Sequence, residues 1–371
     1  MFKALSVLLL LFVGAVGCQN AFADNLQNRT PYTENQVSFI PGDAQKMWEE
    51  YTFNTLALDD YQPGCEPMQY RPELDVQYRG VVILLHGFTS CPKQFSAMAD
   101  SFTAKGYHVL VPVLPGHGRA GSNEIEEQFE LPGIRNWRNY DSFAVWLNKL
   151  AASISHGEIH IGGLCLGGTI ASRAMQLEPS LYTRSLLLSP FFEVSKPLLG
   201  KVGRLIGRIG DFVKIDNGLD LAISLEDIEI CENVERRIYG RAGYCKVRIS
   251  NLIGVARFAR FVQTNWRDVQ TSIQTILVHG DPVAHPLSTL KTLEHDGLSV
   301  EIKNNTCVMN SSASHSPFSP TDLPQPKPWL PELHKELTEF LADGKPLTQT
   351  FTSRYNWPIS VASVGSCALF P

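Results

Sequence analysis

The segment from Gly162 to Gly168 constrains the fold of this chain more than any other. It reads Gly-Gly-Leu-Cys-Leu-Gly-Gly, the G-x-S-x-G pattern of a nucleophile elbow with Cys165 in the serine position. Such an elbow is a sharp turn from a strand into a helix, and its glycines leave room for backbone that a Cβ would meet. The turn lifts one side chain beside a helix N-terminus, where a cysteine is favoured as the reactive thiolate. The pattern therefore predicts a thiol nucleophile for acyl transfer.

A thiol nucleophile needs a base, and the base needs an orienting group. Behind an elbow of this kind the chain order is nucleophile, acid, histidine. Asp281 follows a predicted strand that ends at Val278, and His315 lies in a small polar loop further on. We predict that Cys165 is the nucleophile, that His315 holds its proton or forms an ion pair with the thiolate, and that Asp281 fixes the imidazole tautomer.

Each of these three residues also has a structural interpretation. Cys165 could be a buried thiol beside a tight turn, Asp281 a turn-forming residue, and His315 a histidine of a surface loop. Glu193, which follows the preceding predicted strand, is the alternative acid.

The oxyanion of a tetrahedral intermediate needs N–H donors that are already in place. The backbone N–H of Leu166, directly after the nucleophile, is one predicted donor. The N–H of Phe88 is the other, because it follows His86-Gly87 at the end of a predicted buried strand. His86 and His117 are interpreted as residues that shape loops rather than as bases.

Short apolar runs alternate with helical patterns, which predicts an α/β fold with a mostly parallel sheet and helices on both faces. Strands are predicted at 81–85, 107–114, 159–161, 185–188, 275–278 and 298–302. The predicted organisation is a lead-in at 24–75, a core at 76–190 and 272–343, a helical cap at 191–271 and a tail at 344–371. Ligands of such sheets bind at the carboxyl ends of the strands, where the elbow lies.

Within the predicted cap, apolar residues recur at helical spacing from Leu198 to Val213, with basic residues on the opposite face. This pattern predicts an amphipathic helix. Two interpretations stay open: the helix packs over the sheet, or its apolar face contacts a lipid surface or an acyl chain.

The N-terminus predicts export. Lys3 precedes an apolar run from Ala4 to Val16 that is too short for a membrane span of about 20 residues, so 1–23 are interpreted as a signal peptide. Cleavage after Ala23 would release the chain, whereas a lipobox ending at Cys18 would attach a lipid and hold the protein on a membrane. In a bacterial host the expected location is the periplasm or the cell envelope.

Export makes the eight cysteines informative. Without Cys18 an odd number remains, so at least one thiol is expected to be free, and Cys165 is the natural choice. Pairing of sequence neighbours suggests disulfides Cys65–Cys91, Cys231–Cys245 and Cys307–Cys367, although six cysteines allow many connectivities.

Composition and spacing narrow the partners. The net charge of −5 offers no basic surface for nucleic acid, and no metal-ligand spacing or phosphate-binding loop stands out. We therefore expect no cofactor, no metal and no nucleic acid, and a small acyl ester as the substrate. The sequence leaves the oligomeric state open.

Several motifs resemble the α/β-hydrolase superfamily. Leu84-Leu85-His86-Gly87-Phe88-Thr89-Ser90 resembles the oxyanion loop of carboxylesterases and monoacylglycerol lipases, and Pro115-Gly116-His117-Gly118 resembles a later loop of the same enzymes. Cys165 departs from those serine enzymes. Its surroundings instead resemble dienelactone hydrolase and, more loosely, polyhydroxyalkanoate synthase. At Gly280-Asp281 such enzymes often carry two more residues. The resemblance covers about 81–341 outside the cap and implies an α/β-hydrolase fold.

Three functions compete. The first is an exported thiol-dependent hydrolase of carboxylic esters, including lipid-like ones. The second is an acyltransferase that passes the same acyl-enzyme to an amine, thiol or alcohol. The third is a non-catalytic envelope protein that keeps the hydrolase fold.

Overall fold

The sheet that carries the site is built from buried apolar strands. The computed structural model describes residues 40–57, 61–119, 131–195, 227–229, 242–244, 246–264, 266, 268–278, 280–295, 305–309, 315, 316, 318, 319, 330–345 and 347. The strands in these residues are β1 (Met68–Tyr70), β2 (Gly80–Leu85), β3 (Tyr107–Val111), β4 (Glu158–Leu164), β5 (Arg184–Leu188), β6 (Asp227–Glu229), β7 (Lys246–Arg248), β8 (Ser272–Val278) and β9 (Asn305–Met309).

Seven of these strands form one sheet in the order β1-β3-β2-β4-β5-β8-β9. All neighbours in it are parallel except β1, which runs antiparallel to β3 at the edge. Strands β6 and β7 pair separately. The predicted mostly parallel α/β sheet is confirmed.

Two groups of helices cover the sheet. The helices are α1 (Ala44–Leu56), α2 (Ser96–Thr103), α3 (Arg138–Ala152), α4 (Leu166–Leu177), α5 (Ile249–Val262), α6 (Pro286–His295) and α7 (Leu330–Asp343). Helix α4 packs against β4 and also contacts α3 and α5, whereas α2 packs with α7. A short 3-10 helix at Pro92–Phe95 leads into α2. None of the helices in the described ranges is long and apolar enough to cross a bilayer.

Strand register brings the functional loops to one edge. Leu85 pairs with Gly163, and Leu164 pairs with Leu188. On the other side of β5, Val278 of β8 pairs with Met309 of β9. The segments that follow these strand ends therefore start side by side, as the carboxyl ends of parallel strands must.

The last described strand of the sheet lies a few residues beyond the last predicted one. The strand that pairs with β8 is Asn305–Met309, whereas the predicted strand at 298–302 lies outside the described residues. Asn305–Met309 begins with polar residues, so its apolar pattern is weaker than that of the equally long run at 298–302. His315 lies six positions beyond this strand.

Parts of the predicted flanking segments pack on the core. Helix α1, in the predicted lead-in, buries Trp48, and α5, in the predicted cap, buries Phe258 against Tyr140 of α3. Both belong to the main hydrophobic cluster. The predicted domain limits stay predictions, and the signal peptide, the amphipathic stretch at 198–213 and most of the tail lie outside the described residues.

Candidate active site

Cys165 lies at the turn between β4 and α4 in a left-handed backbone conformation, with φ 53° and ψ −117°. A non-glycine residue there is strained by about 1–3 kcal/mol and persists only where its surroundings fix it. Three backbone hydrogen bonds do so: the Cys165 N–H donates to Leu188 O at 2.9 Å, and its carbonyl accepts from Thr169 N at 3.1 Å and Phe191 N at 3.2 Å. Cys165 is a free thiol and is buried.

The elbow glycines are required by close backbone contacts. A Cβ on Gly163 would lie 2.3 Å from the carbonyl carbon of Gly167, and a Cβ on Gly167 would lie 1.9 Å from the carbonyl oxygen of Leu85. Real Cβ atoms do not come this close to backbone. The two glycines thus let α4 start directly against the ends of β2 and β4.

We expect Gly167→Ala to lower the free energy of unfolding by about 3 kcal/mol, because the clash is with backbone that cannot rotate away. Gly133→Ala is the matched control, since its Cβ would meet nothing closer than 3.5 Å. Urea denaturation followed by circular dichroism measures both. Equal unfolding midpoints for the two variants would contradict the account of the elbow.

Asp281 combines the two interpretations that the sequence left open. Its Oδ1 accepts hydrogen bonds from the backbone N–H groups of Val283 at 2.8 Å and Ala284 at 3.0 Å, which holds the turn after β8. Its Oδ2 lies 2.7 Å from Nδ1 of His315. The carboxylate is buried, whereas the alternative acid, Glu193, is exposed.

His315 therefore has a fixed orientation. Burial disfavours the charged ring, but the carboxylate of Asp281 and the sulfur of Cys165 outweigh burial and raise the pKa of His315 well above its ordinary value. Because Nδ1–H donates to Asp281, Nε2 is the nitrogen left for the thiol. Nε2 is buried and has no well-formed hydrogen bond to another described residue.

The oxyanion turn, residues 86–91, lies against the nucleophile. A Cβ on Gly87 would be 3.5 Å from the Cβ of Cys165. The predicted donors, the backbone N–H groups of Phe88 and Leu166, have no hydrogen-bond partner among the described residues. Both remain available for a ligand oxygen.

Buried His86 fixes the peptide that carries the Phe88 N–H. Leu114 N–H donates to its Nε2 at 3.0 Å, so the ring proton is on Nδ1, which donates to Gly87 O at 2.9 Å. Gly87 O and Phe88 N–H belong to the same peptide unit. Burial and the nearby His117 lower the pKa of His86 well below its ordinary value, which keeps the ring neutral as this pattern requires.

Gln94 is a contributor that the sequence analysis missed. Its Oε1 accepts a hydrogen bond from Gly87 N–H at 2.8 Å, and the side chain is buried. The available signal is a polar residue two positions after Pro92 and directly before Phe95, the first apolar residue of the predicted helix face. From the sequence alone, such a residue cannot be distinguished from one that is exposed to solvent.

The chain matches a known family over most of its core. Residues 76–306 match the Hydrolase_4 family, described as "Serine aminopeptidase, S33". The chain belongs to this family. The description names a serine enzyme, whereas this member carries Cys165 at the elbow.

One relative matches part of this chain. The "Thermostable monoacylglycerol lipase" of Bacillus sp. (strain H-257) is 28% identical over 101 residues, which are 27% of this chain and 36% of the relative. The match thus spans only about a third of that relative's length.

Solved structures agree in fold. One is a lipolytic enzyme from a study of the metagenome-derived LipS and LipT, with 15% identity, TM-score 0.54 and coverage of 76% of this chain and 99% of that chain. Another is a soluble variant of monoglyceride lipase from Saccharomyces cerevisiae, with 12% identity, TM-score 0.56 and coverage of 74% and 90%. The predicted resemblance to α/β-hydrolases of the monoacylglycerol-lipase type is confirmed, while the cysteine nucleophile stays a prediction.

Proposed function

We propose that this α/β-hydrolase hydrolyses carboxylic esters, including lipid-like ones, through a thioester on Cys165. One observation carries the proposal: His315 holds a buried carboxylate on one ring nitrogen and leaves the other for the thiol at the elbow. Covalent acyl transfer needs such a base, oriented by a third group and placed beside the nucleophile.

The proposed reaction has two halves. His315 holds the thiol proton as an imidazolium, the Cys165 thiolate attacks the ester carbonyl, and the oxyanion accepts hydrogen bonds from the N–H groups of Phe88 and Leu166. Collapse expels the alcohol, which receives the proton from His315. Water, deprotonated by His315, then attacks the thioester and releases the carboxylic acid.

The substrate class rests on the relatives and on the sequence. A monoacylglycerol lipase is among the relatives, and an amphipathic segment is predicted at 198–213 in the proposed cap. Residues 1–23 support export, with Cys18 as the residue that would carry a lipid. A lipid-anchored hydrolase at the envelope would meet acyl glycerols at the membrane surface.

The acyl-enzyme is the step to test. Purified protein is mixed with p-nitrophenyl esters of increasing chain length or with monoacylglycerol, quenched in acid during turnover and analysed by peptide mass spectrometry. We expect an acyl adduct on the Cys165 peptide that neutral hydroxylamine removes, because thioesters are labile to it. Turnover with no adduct on Cys165 would remove the proposed mechanism, and acyl transfer to added alcohol that outruns hydrolysis would favour the acyltransferase instead.

A further inference from the structure

The oxyanion turn contains a strained residue that needs external support. Thr89 has φ 62°, a conformation that a β-branched residue rarely adopts. Within the turn, Ser90 N–H donates a backbone hydrogen bond to Gly87 O at 3.1 Å. The peptide that presents Phe88 N–H lies within this closed segment, so whatever fixes the ends of the turn also fixes the donor.

A disulfide fixes the end of the turn. Cys91 is its last residue and is bonded to Cys65, with their Cα atoms 4.6 Å apart. This confirms the first predicted pair, whereas the other two predicted pairs involve side chains outside the described residues. Both sulfurs are buried, with Cys65 0% and Cys91 1% exposed.

The other end of the disulfide belongs to a braced segment. Gln62 N–H donates to Gly118 O at 2.8 Å, and Cys65 N–H donates to Gln62 O at 2.9 Å. A Cβ on Gly118 would lie 2.9 Å from that of Cys65. Segment 61–65 is therefore anchored on the loop after β3 and gives the disulfide a rigid base.

At the Cys91 end of the turn, two hydrogen bonds act beside the disulfide. Lys93 N–H donates to Gly64 O at 3.1 Å, which joins the same two segments, and Tyr244 N–H donates to Thr89 O at 2.9 Å. A neutral hydrogen bond contributes about 1 kcal/mol, which is no more than the strain of one left-handed residue. His86 and Gln94 hold the Gly87 end of the turn, whereas the Cys91 end depends on these two bonds and on the disulfide.

We propose that the Cys65–Cys91 disulfide is a positioning element that holds the Phe88 N–H at the oxyanion, so that the enzyme acquires full activity only after this bond has been oxidised. The inference rests on the proposed function. Opening the bond takes two electrons and two protons and yields two thiols, and tris(carboxyethyl)phosphine can supply the electrons while it becomes the phosphine oxide. Because both sulfurs are buried, the bond acts as a maturation step and not as a rapid switch.

The selective test is the double variant Cys65→Ala/Cys91→Ala. We expect kcat for a p-nitrophenyl ester to fall by about 10- to 100-fold with KM changed less than about threefold, since loss of one oxyanion donor lowers kcat by about 10²- to 10³-fold. A peptide-like or fatty aldehyde, whose thiohemiacetal with Cys165 places an oxyanion in the same site, should bind more weakly by a similar factor. Alkylation of Cys165 by iodoacetamide creates no oxyanion and should stay within about twofold of wild type.

Two results would overturn the inference: unchanged kcat and aldehyde affinity, or a fall in the alkylation rate in parallel with kcat, which would indicate general loss of structure. If the double variant does not fold, wild-type protein is refolded with an oxidant or with the phosphine, and peptide mapping identifies the open bond. Equal kcat in samples with closed and open Cys65–Cys91 would again contradict it. Failure of the proposed function appears differently, as turnover that persists in Cys165→Ala.

Discussion

Cys165→Ala is expected to lower kcat/KM for short p-nitrophenyl esters by about 10⁴-fold or more. Loss of a covalent nucleophile removes the acyl-enzyme route altogether, and the activity that remains comes from binding and the oxyanion donors alone. The methyl group fits where the thiol lies, because the elbow is held by backbone hydrogen bonds and not by the sulfur. The fold should survive, and a thermal melt by circular dichroism verifies this.

Ser172→Ala is the matched control. It removes one buried heteroatom from α4, the helix that follows the elbow, and its hydroxyl donates to Gly168 O at 2.8 Å. We expect its kcat/KM to stay within about threefold of wild type. If Cys165→Ala retained wild-type turnover, the thiol mechanism would be wrong. Cys165→Ser adds a further readout: a gain in esterase rate would mean that the site is still shaped for the hydroxyl nucleophile of serine relatives.

Asp281→Asn is expected to lower kcat by about 10³- to 10⁴-fold, and the geometry gives the reason. Oδ1 accepts from two backbone N–H groups, so the amide oxygen must take its place and the NH₂ group must face His315. The ring then accepts at Nδ1 and carries its proton on Nε2, the wrong tautomer for a base. The side chain keeps its size and its turn, so the free energy of unfolding should change far less than the rate.

Glu193→Gln is the control for this substitution, because it makes the same chemical change at the alternative acid. Glu193 is exposed, and its backbone carbonyl accepts from His285 N–H at 2.9 Å independently of the side chain. We expect kcat to be unchanged. The opposite pattern, with a loss in Glu193→Gln and full activity in Asp281→Asn, would reassign the acid.

Asp281→Asn should also change the titration of His315. Asp281 is the strongest of the groups that raise its pKa, so removal of the charge should lower that pKa. A raised folded-state pKa means that charged His315 stabilises the fold below about pH 6.5, the ordinary value, and that this contribution is lost as the pH rises through the folded-state pKa. The gap in free energy of unfolding between wild type and Asp281→Asn should therefore narrow as the pH rises. An NMR titration in which the His315 ring moves identically in both proteins would refute the pairing.

Local sequence patterns predicted much of the site. The elbow could be recognised because glycine is the only residue that fits where a Cβ would lie 1.9 Å from a carbonyl oxygen. The parallel strands could be recognised because β2 is buried along its whole length, which demands an unbroken apolar run.

Other features depended on packing that no local pattern records. Strand β9 was not predicted because Asn305–Met309 begins with polar residues, and its pairing with β8 is a contact between distant parts of the chain. Helix α5, within the predicted cap, packs beside α4, and its apolar face alone does not indicate this contact. Gln94 was missed because its partner, the Gly87 N–H, lies seven residues earlier and outside the helix that follows Gln94.

The sequence by itself determined the residues of the candidate site: a thiol at an elbow, an acid and a histidine in order, and an odd number of cysteines once the predicted signal peptide is excluded. Those are properties of residue type and spacing. Only the tertiary structure decided that the carboxylate of Asp281 divides its two oxygens between a turn and His315, and that Cys65–Cys91 closes on the end of the oxyanion turn. Such contacts depend on strand register and on how loops from distant parts of the chain meet. The cysteine in the position of a serine acquires its partners only through these contacts.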